Sequence, residues 1–531
     1  MRISSLAVRG LAHLSRAALR PRGERFERDL GRPDLAQRDL LGELVAALAG
    51  TEYGRHHGIG PRDGYEAFSA KLPVTSYEAL APWIARQMAG EGRTLVAEPV
   101  RFYQTTSGSA GPAKQIPYSG GLIMSFGRLF ALWLYDLLAH GPPLVTGRTW
   151  ISISPALGPR SRTARGVRVG VDDDREYLTG GLRALARPFL VLPPDVSRLR
   201  DARAFTHVAA LFLLATDPEI VSVWNPTFLT VLLDHVAGHP DALARDWTAG
   251  RIVRDGVAFR VPAPPSDRLA ALRRAPLDWA ALVPGLRLVS CWADAGARPG
   301  AEALRRRLPG VALQGKGLLA TEAPMTLPWS RAEGFVPLVR EVFFEFEDDA
   351  GRVRRLHELE PGATYAVVVS QRGGLSRYRI GDRVRVSHLY RRTPCLAFVG
   401  REGSVSDLVG EKLHEAFVAE ALDRLGLRPD GFRTLLPVRS PDGGGYYALV
   451  VDRLDASPSG LARRLDARLQ AAHRYREARL LGQLGPARVR VLADAPARWL
   501  AHFAARGMRL GDVKPAVLGP EVAADSPLAA A

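Results

Sequence analysis

Cysteine is scarce in this chain, and long apolar runs are missing. Only Cys291 and Cys395 occur among the 531 residues, too few for a disulfide framework or a cysteine-rich zinc site. No uninterrupted apolar run reaches the ~18 residues that a membrane-spanning helix needs. Hydrophobic residues make up 47% and charged residues 24% of the chain, so a mainly disordered or fibrous protein is also excluded.

Lysine and asparagine are the other shortages. Among 72 lysines and arginines there are five lysines, and there is one asparagine. They are Lys71, Lys114, Lys316, Lys412, Lys514 and Asn225. Both amino acids have AT-rich codons, so the pattern indicates coding pressure that placed arginine wherever a positive charge alone was needed. A lysine that persists is a candidate for a role that needs a compact, flexible ammonium; chance retention is the alternative, and the count does not decide between them.

A net charge of +17 and a pI near 10.4 raise the question of a nucleic-acid or anionic membrane partner. The basic residues are scattered among acids, and no block of them alternates with aromatics. We therefore expect a cytoplasmic protein with neither a nucleic-acid partner nor an integral membrane segment. The densest basic stretch, residues 2–28, has apolar residues near helical spacing. It is predicted to be a packed surface helix rather than a targeting or membrane segment.

The alternation of β-rich and helical stretches predicts an α/β fold with two domains. Short apolar runs alternate with helical patterns between residues 149 and 400, which favours α/β layers. The character then changes, since residues 431–452 have the pattern of a hairpin. We predict a large multilayer α/β domain over residues 1–400 and a small α+β domain over residues 401–531. The alanine-rich tail after residue 520 is predicted to be disordered.

The glycine-rich segment TTSGSAGPAK at residues 105–114 is the strongest local motif. Glycines let backbone N–H groups approach phosphate oxygens, hydroxyls donate further hydrogen bonds, and Lys114 adds a point charge. The segment is not a Walker A motif, because Ala113 precedes the lysine and Gln115 follows it, and it is not a Rossmann fingerprint. A serine- and glycine-rich linker is the alternative. We favour phosphate binding, because the segment ends at a rare lysine and runs into an apolar helix.

Two further segments carry candidate polar side chains. In GGLSRYRIGD, residues 373–382, Asp382 comes just past a tight turn, where a carboxylate can accept both hydroxyls of a ribose. A hairpin with a solvated aspartate is the equally supported alternative. In GLLATEA, residues 317–323, Thr321 and Glu322 place an acid beside a hydroxyl after a strand-like stretch, which is a candidate Mg²⁺ site. An acid at a helix start is the alternative there.

His235 and His239 have the spacing of a metal pair on a helix. No glutamate directly follows His235, so the metalloprotease motif is absent and a solvated helix end is favoured. The segment around Ser107 and Ser109 lacks the G-x-S-x-G frame of a nucleophile elbow. The sequence therefore offers neither a zinc-protease motif nor a serine nucleophile.

Taken together, these segments resemble the adenylate-forming superfamily of acyl-CoA synthetases, peptide-synthetase adenylation domains and luciferases. Residues 106–114 match its phosphate-loop pattern T-S-G-[ST]-x-G-x-x-K. More closely, the chain resembles the auxin-responsive acyl acid-amido synthetase (Gretchen Hagen) family, in a bacterial-type version. The resemblance covers nearly the whole chain, and the order and spacing of the motifs make it specific. Besides the loop, it includes residues 223–226, 318–322, 373–382, 398–401, 406–413, 473–476 and 506–515.

The resemblance implies an ATP-dependent ligase. ATP and a carboxylic acid would give an acyl-adenylate and pyrophosphate, with Mg²⁺ accompanying ATP. An amine, often that of an amino acid, would then attack to give an amide and AMP. The alternatives are a ligase that passes the acyl group to a thiol such as CoA, and a non-catalytic basic binding protein.

Carried over by position, the resemblance also assigns the nucleotide site. The residues implied to hold the phosphates are Thr106, Ser107, Gly108, Ser109, Gly111 and Lys114. Thr321 and Glu322 would bind phosphate and Mg²⁺. Asp382 would hold the ribose hydroxyls, with Tyr378 nearby.

The resemblance implies three catalytic residues: Lys514, Lys114 and Glu322. Charge builds on the phosphoryl oxygens as the acid attacks, and ammonium groups and Mg²⁺ stabilise it mainly in the transition state. Lys514 would reach the site from the small domain, with Arg401 at the hinge. Two segments depart from the family pattern, one at Leu318 and the other from Asp512 to Val517. The tyrosine that usually stacks on adenine is Leu318 here, and Asp512 stands where it could pair with Lys514 and hold it away from ATP.

Overall fold

The structure is a computed structural model that describes most of the chain. The described residues are 5–105, 114–151, 161–163, 165–170, 186–401, 405–406, 408–409, 411, 413–439, 445–480, 483–506, 508, 513–514 and 516–529. Five predicted phosphate-loop residues, together with two residues near the other motifs, lie outside this set. They are Thr106, Ser107, Gly108, Ser109, Gly111, Lys412 and Asp512.

The chain divides into two compact units, and each combines helices with β-sheet. The first comprises residues 1–149, 159–191 and 315–399, and the second comprises residues 150–158, 192–314 and 400–531. The predicted α/β fold class is confirmed, and the C-terminal domain has a sheet and an apolar core of its own. The more specific division into domains 1–400 and 401–531 stays a prediction.

The first unit is built around a five-stranded sheet. Its strands, in order across the sheet, are Val353–Arg355, Val342–Glu347, Thr364–Gln371, Tyr378–Tyr390 and Thr393–Arg401. The first four pair antiparallel with their neighbours. Thr364–Gln371 occupies the centre because its sequence, TYAVVVSQ, suits burial on both faces, and seven of its residues are buried.

Helices and shorter strands complete the first unit. The strands are Val100–Thr105, Gln115–Ser119, Ser161–Arg162, Arg168–Val169, Thr326–Trp329 and Gly334–Pro337. The helices are Ser5–Leu30, Pro33–Ala49, Glu52–His56, Tyr65–Lys71, Tyr77–Ala89 and Gly120–His140. Buried Gln37 joins the second helix to the large sheet, since its side-chain amide donates to the Val342 carbonyl at 2.8 Å and accepts from the Phe344 N–H at 2.8 Å. A buried amide bonded on both sides costs little and fixes the helix against one register of the strand.

The N-terminal helix, Ser5–Leu30, packs into the first unit. Phe26 and Leu30 are buried in its core. The buried Glu27 carboxylate accepts hydrogen bonds from Trp329 Nε1 and from Arg391 Nε, each at 2.7 Å. The prediction of a packed surface helix is therefore confirmed.

Helix Gly120–His140 is, among the described residues, the one helix long and apolar enough to cross a membrane by length and composition. About 44% of its most apolar window is buried inside the protein. Ser125 and Asp136 on this helix are buried and bonded to Glu341 and Ser330, each at 2.7 Å. Buried polar groups with protein partners are typical of a core helix.

The second unit contains two four-stranded sheets. In spatial order, their strands are Ala312–Gly315, Leu288–Cys291, Ile220–Ser222 and Thr149–Ile151 in one, and Arg488–Val491, Gly445–Val451, Arg433–Arg439 and Val522–Ala523 in the other. Shorter strands are Arg251–Arg254, Val257–Arg260, Val405–Ser406 and Leu413–His414. The helices are Ala202–Thr216, Pro226–Gly238, Pro240–Ala249, Ser266–Leu272, Trp279–Leu282, Arg298–Arg307, Glu415–Asp423, Pro458–Leu469, His473–Leu480 and Ala495–Ala504. The predicted hairpin over 431–452 is confirmed by the antiparallel pairing of Arg433–Arg439 with Gly445–Val451.

Residues 521–529 of the alanine-rich tail are ordered, so the prediction of disorder was wrong for this part of the chain. Val522–Ala523 adds a short strand parallel to Arg433–Arg439, and Leu528 and Ala529 are almost completely buried. Composition misled here because a few apolar residues suffice to anchor a chain end to a core that already exists.

Candidate active site

Lys114 lies directly before a strand, where its ammonium meets two tyrosine rings. That strand, Gln115–Ser119, pairs antiparallel with Val100–Thr105, so the glycine-rich segment connects two paired strands. Lys114 Nζ donates to the Tyr378 hydroxyl at 3.3 Å. It also lies 5.5 Å from the ring centre of Tyr77 and 5.9 Å from that of Tyr378. Attraction to the ring faces and the hydroxyl therefore holds the charge at the end of the phosphate-loop pattern.

Asp382 lies on the strand that begins at Tyr378, beside an irregularity in the sheet. The partners of Ala366 and Val368 are four residues apart on this strand, so it carries two extra residues here. Gly381, with φ of +85°, supplies backbone that other residues rarely adopt. A bulge of this kind re-aims the neighbouring side chains. Asp382 is 9% exposed, so the hairpin is confirmed but the alternative of a solvated aspartate is wrong.

A buried ion pair anchors the turn before this strand. Arg377 donates to the Glu345 carboxylate at 2.8 Å and 3.0 Å, and their side chains are only 6% and 1% exposed. Arg377 also donates to the carbonyls of Ser69 and Leu72 at 2.9 Å and 2.6 Å. Because every arm of the guanidinium has an acceptor, the pair fixes the chain just ahead of Tyr378.

Thr321 and Glu322 lie in a tight turn that backbone hydrogen bonds close on both sides. The alternative of an acid at a helix start is therefore wrong. The Thr321 carbonyl accepts from the Tyr118 hydroxyl at 2.6 Å, and the Glu322 carbonyl accepts from Gln371 Nε2 at 2.9 Å. Glu322 is 3% exposed. These bonds tie the turn to the strand that follows Lys114 and to the central strand of the large sheet.

The first unit thus connects the predicted positions through neighbouring strands. Lys114 contacts Tyr378 directly, Asp382 is on the same strand as Tyr378, and the turn of Thr321 and Glu322 is bonded to the strand after Lys114. An ammonium binds anionic oxygens, a buried carboxylate accepts hydroxyl hydrogen bonds, and a second carboxylate suits a hard cation. That set of groups fits a nucleoside phosphate.

Lys514 and Arg401 belong to the second unit. Lys514 Nζ lies 4.9 Å from the ring centre of Trp292, and the Lys514 carbonyl accepts from Trp499 Nε1 at 3.3 Å. Arg401 ends the strand Thr393–Arg401, and the chain passes from the first unit to the second just before it. The catalytic role of Lys514 and the hinge role of Arg401 stay predictions.

Family models match three consecutive parts of the chain. The GH3 family N-terminal domain matches residues 22–313, the central domain residues 335–401 and the C-terminal domain residues 415–520. The chain belongs to the GH3 family. The family that the sequence motifs resemble is thereby confirmed.

Relatives of this GH3 chain include plant amido synthetases. It is 26% identical over 463 residues to a probable indole-3-acetic acid-amido synthetase, GH3.12 of Oryza sativa subsp. japonica, covering 75% of this chain and 74% of the relative. It is 23% identical to the jasmonoyl–L-amino acid synthetase GH3.5 of the same organism, covering 92% of each. A solved structure of the AtGH3.15 acyl acid amido synthetase in complex with 2,4-DB superposes with a TM-score of 0.80 at 19% identity. It covers 95% of this chain and 94% of that one, which shows the shared fold.

One GH3-like motif has a structural explanation. In SDLVGEKL, the buried Glu411 carboxylate accepts from the backbone N–H groups of Leu408 and Val409, each at 2.8 Å. It also accepts from the Tyr447 hydroxyl, which lies 2.5 Å from Ser406 Oγ. A buried carboxylate satisfied by several donors fixes the positions of Leu408 and Val409 relative to Glu411.

Sequence reasoning missed three residues that hold the candidate site in place. Tyr77 accepts from the Gln115 N–H at 2.7 Å, and Tyr118 and Gln371 fix the turn of Thr321 and Glu322. Tyrosine and glutamine at these positions carry no spacing signal, because their partners are distant in sequence. They act through hydrogen bonds that only the folded chain brings about.

The histidine pair belongs to a larger hydrogen-bonded group in the second unit. His207 Nδ1 lies 3.0 Å from His235 Nε2, and His207 Nε2 lies 2.8 Å from Asp246 Oδ2. Asp246 also pairs with Arg254. No group of three or more His, Cys, Asp or Glu side chains that could hold a metal occurs in the described part of the chain. The sequence favoured a solvated helix end for His235 and His239. The exposed His239 fits that prediction, but His235 is half-buried.

Acidification is expected to destabilise this histidine group. Burial, with the charges of His239 and His207, lowers the pKa of His235 from its ordinary value of 6.5 to about 4, and burial lowers the pKa of His207 although Asp246 opposes it. The unfolded chain then binds more protons than the folded one, so stability is complete above pH 6.5 and falls as the pH drops toward about 4. We expect a loss on the order of 1–2 kcal/mol after discounting for partial exposure. Urea unfolding at pH 7.5 and pH 4.5 measures it.

The matched variants for this test are His235→Gln and His414→Gln. His414 is exposed in the C-terminal domain. His235→Gln should flatten the pH dependence of unfolding, whereas His414→Gln should leave it as in the wild type. An unchanged pH slope in His235→Gln would contradict the assignment.

Proposed function

We propose that the chain is an ATP-dependent acyl-amido synthetase. It adenylates a carboxylic acid with release of pyrophosphate, then transfers the acyl group to an amine, often that of an amino acid, to form an amide and AMP. GH3 membership and the names of the relatives support this reaction. The observation that carries the proposal is Lys114, which ends the phosphate-loop pattern with its ammonium held against Tyr378.

In the proposed site, different groups of the chain hold different parts of ATP. Residues 106–111 and the Lys114 ammonium hold the phosphates, and Thr321 adds a phosphate contact. The Asp382 carboxylate accepts hydrogen bonds from the ribose hydroxyls, with Tyr378 nearby. Its burial strengthens those hydrogen bonds, because water competes less for the carboxylate.

The two steps place different demands on the lysines. In the first, a carboxylate oxygen of the acid attacks the α-phosphorus, and the bond to pyrophosphate breaks. Charge develops on the phosphoryl oxygens, so the ammonium groups of Lys114 and Lys514 stabilise the transition state more than the ground state. In the second, the amine attacks the acyl carbon, loses a proton and expels AMP. Movement of residues 401–531 about Arg401 would withdraw Lys514 when its charge is no longer needed.

Glu322 is the residue that fits Mg²⁺. This ion is usually held by one or two carboxylates together with substrate phosphates. Glu322 is a buried carboxylate in the turn bonded to the strand after Lys114. When bound, the ion neutralises phosphate charge during adenylation.

ATP–pyrophosphate exchange across a panel of carboxylic acids tests the proposal. We expect exchange with at least one acid, dependent on Mg²⁺, and an amide product by mass spectrometry when amino acids are supplied. A thioester formed with CoA in place of the amide would favour the thiol-acylating alternative. A folded protein that exchanges with no acid would contradict both ligase assignments, and salt-dependent binding to nucleic acid would then favour a basic binding protein. Fractionation is expected to place the enzyme in the cytoplasm.

A further inference from the structure

The segment that carries Lys514 is clamped through its backbone. Val513 is completely buried, and its carbonyl accepts a hydrogen bond from Asn225 Nδ2. The next carbonyl, of Lys514 itself, accepts from Trp499 Nε1 at 3.3 Å. The backbone on both sides of the Lys514 α-carbon is therefore fixed, while the residue itself is exposed.

Asn225 is suited to this clamp by its residue type. Its side-chain oxygen accepts from the Thr227 N–H at 2.9 Å and so caps helix Pro226–Gly238. Its side-chain nitrogen then faces the Val513 carbonyl. Aspartate could cap the helix but has no N–H to donate. A role that needs acceptor and donor at once explains why the single asparagine of the chain stands here.

Trp292 contacts the Lys514 ammonium through the face of its ring. Lys514 Nζ lies 4.9 Å from its ring centre, and the ring of Trp224 lies 5.8 Å from that of Trp292. Trp292 directly follows the strand Leu288–Cys291, and its backbone N–H donates to the Trp224 backbone carbonyl at 2.8 Å. Both tryptophans therefore stand at the carboxyl end of a parallel strand pair, the edge where open α/β sheets commonly place functional groups.

We propose that Asn225 and Trp292 are positioning residues for Lys514 in adenylation. Asn225 fixes the backbone of the lysine segment, and Trp292 confines the ammonium, so less conformational freedom is lost when the charge engages the phosphoryl oxygens. Cation–π attraction holds the Lys514 ammonium against Trp292 without neutralising the positive charge of the ammonium. The role in adenylation rests on the proposed function, whereas the clamp itself does not.

The scarcity of lysine allows the clamp to be measured without activity. Reductive methylation with ¹³C-formaldehyde labels five lysines and the N-terminus and keeps their charge. Lys514→Arg identifies the Lys514 signal, which we expect to be displaced upfield by the Trp292 ring current. Trp292→Leu should move it to the position of the exposed Lys71 signal, and Trp292→Phe should keep part of the displacement. A wild-type Lys514 signal that coincides with that of Lys71 would overturn the proposal.

Exchange kinetics test the role in adenylation. We expect Trp292→Leu to lower the exchange kcat about 5- to 10-fold with little change in KM for ATP, and Trp292→Phe to recover most of the loss. In a Lys514→Ala background, Trp292→Leu should have no further effect, because the two residues act as one unit. Multiplicative losses in the double variant would show that Trp292 acts independently of Lys514 and would overturn the assignment.

The Asn225→Asp variant tests the positioning of Lys514 independently of Trp292. It keeps the acceptor for the Thr227 N–H but cannot donate to the Val513 carbonyl. We expect a loss of exchange that disappears in the Lys514→Ala background, and a broadened Lys514 signal. Should the wild type show no exchange with any acid, the proposed function fails, and the methyl signals still decide whether the clamp exists.

Discussion

Replacing Lys114 with alanine is expected to lower ATP–pyrophosphate exchange at least ~100-fold. The ammonium, held against Tyr378 at 3.3 Å, acts more strongly on the charge that develops in the transition state than on the phosphates of bound ATP. Losing it should therefore lower kcat more than it raises KM for ATP. Exchange measured at saturating acid over a range of ATP concentrations separates the two parameters.

Lys71→Ala is the matched control for this prediction. Lys71 is exposed and pairs with Asp63 at 2.7 Å in the same unit, so its loss should leave exchange close to the wild-type rate. Lys114→Arg should recover only part of the activity, because a planar guanidinium does not replace a compact ammonium between two rings. Equal rates in the Lys114→Ala and Lys71→Ala variants would contradict the phosphate-site assignment.

The same assay on Asp382→Ala examines the ribose end of the site. We expect a loss of at least ~100-fold, since a buried carboxylate that accepts hydroxyl hydrogen bonds is removed where water cannot easily replace it. Here the Michaelis constant for ATP should rise, because ribose contacts form in the ground state as well. Near-normal exchange in both the Lys114→Ala and Asp382→Ala variants would overturn the site as a whole.

Replacing Arg377 with methionine is expected to destabilise the first unit by about 3–5 kcal/mol. The substitution keeps much of the side-chain volume but leaves Glu345, which is 1% exposed, without its cation. The carbonyls of Ser69 and Leu72 lose their donor at the same time. An uncompensated buried charge costs far more than the pair itself contributes. The shift of the urea midpoint for the first unit, read with the wild-type slope, measures the loss.

Arg379→Met provides a control with the same pair of residue types close by in the chain. Arg379 pairs with Glu347, and each of these residues lies two positions after its counterpart in the buried pair, but the Arg379 side chain is 45% exposed. Its removal should cost no more than ~1 kcal/mol. Comparable losses in the two variants would show that burial does not set the strength of these pairs.

Much of the fold followed from local pattern. Strand-like runs bounded by turn residues gave the hairpin over 431–452, and apolar periodicity indicated that the first helix packs, as it does. The order of residues 521–529 was not predicted from the sequence, because it depends on a sheet formed by distant residues. Local composition carries no information about a docking surface elsewhere in the chain.

The sequence by itself determined the family, the kinds of groups available and the residues worth testing. The rarity of lysine pointed to Lys114 and Lys514, and the motif order indicated the GH3 family that the family models show. Spacing along the chain does not say which side chains meet, since Lys114 and Tyr378 are separated by 264 residues. The tertiary structure decided those contacts.

The tertiary structure also decided how strongly each contact counts. Arg377 with Glu345 and Arg379 with Glu347 look equivalent in sequence, yet the first pair is buried and the second is partly exposed to water. Electrostatic strength depends on the dielectric around a pair, which is set by everything that packs over it. Burial is therefore the reason why we expect Arg377 to hold the strand of Asp382 in place, whereas Arg379 only covers the surface of that strand.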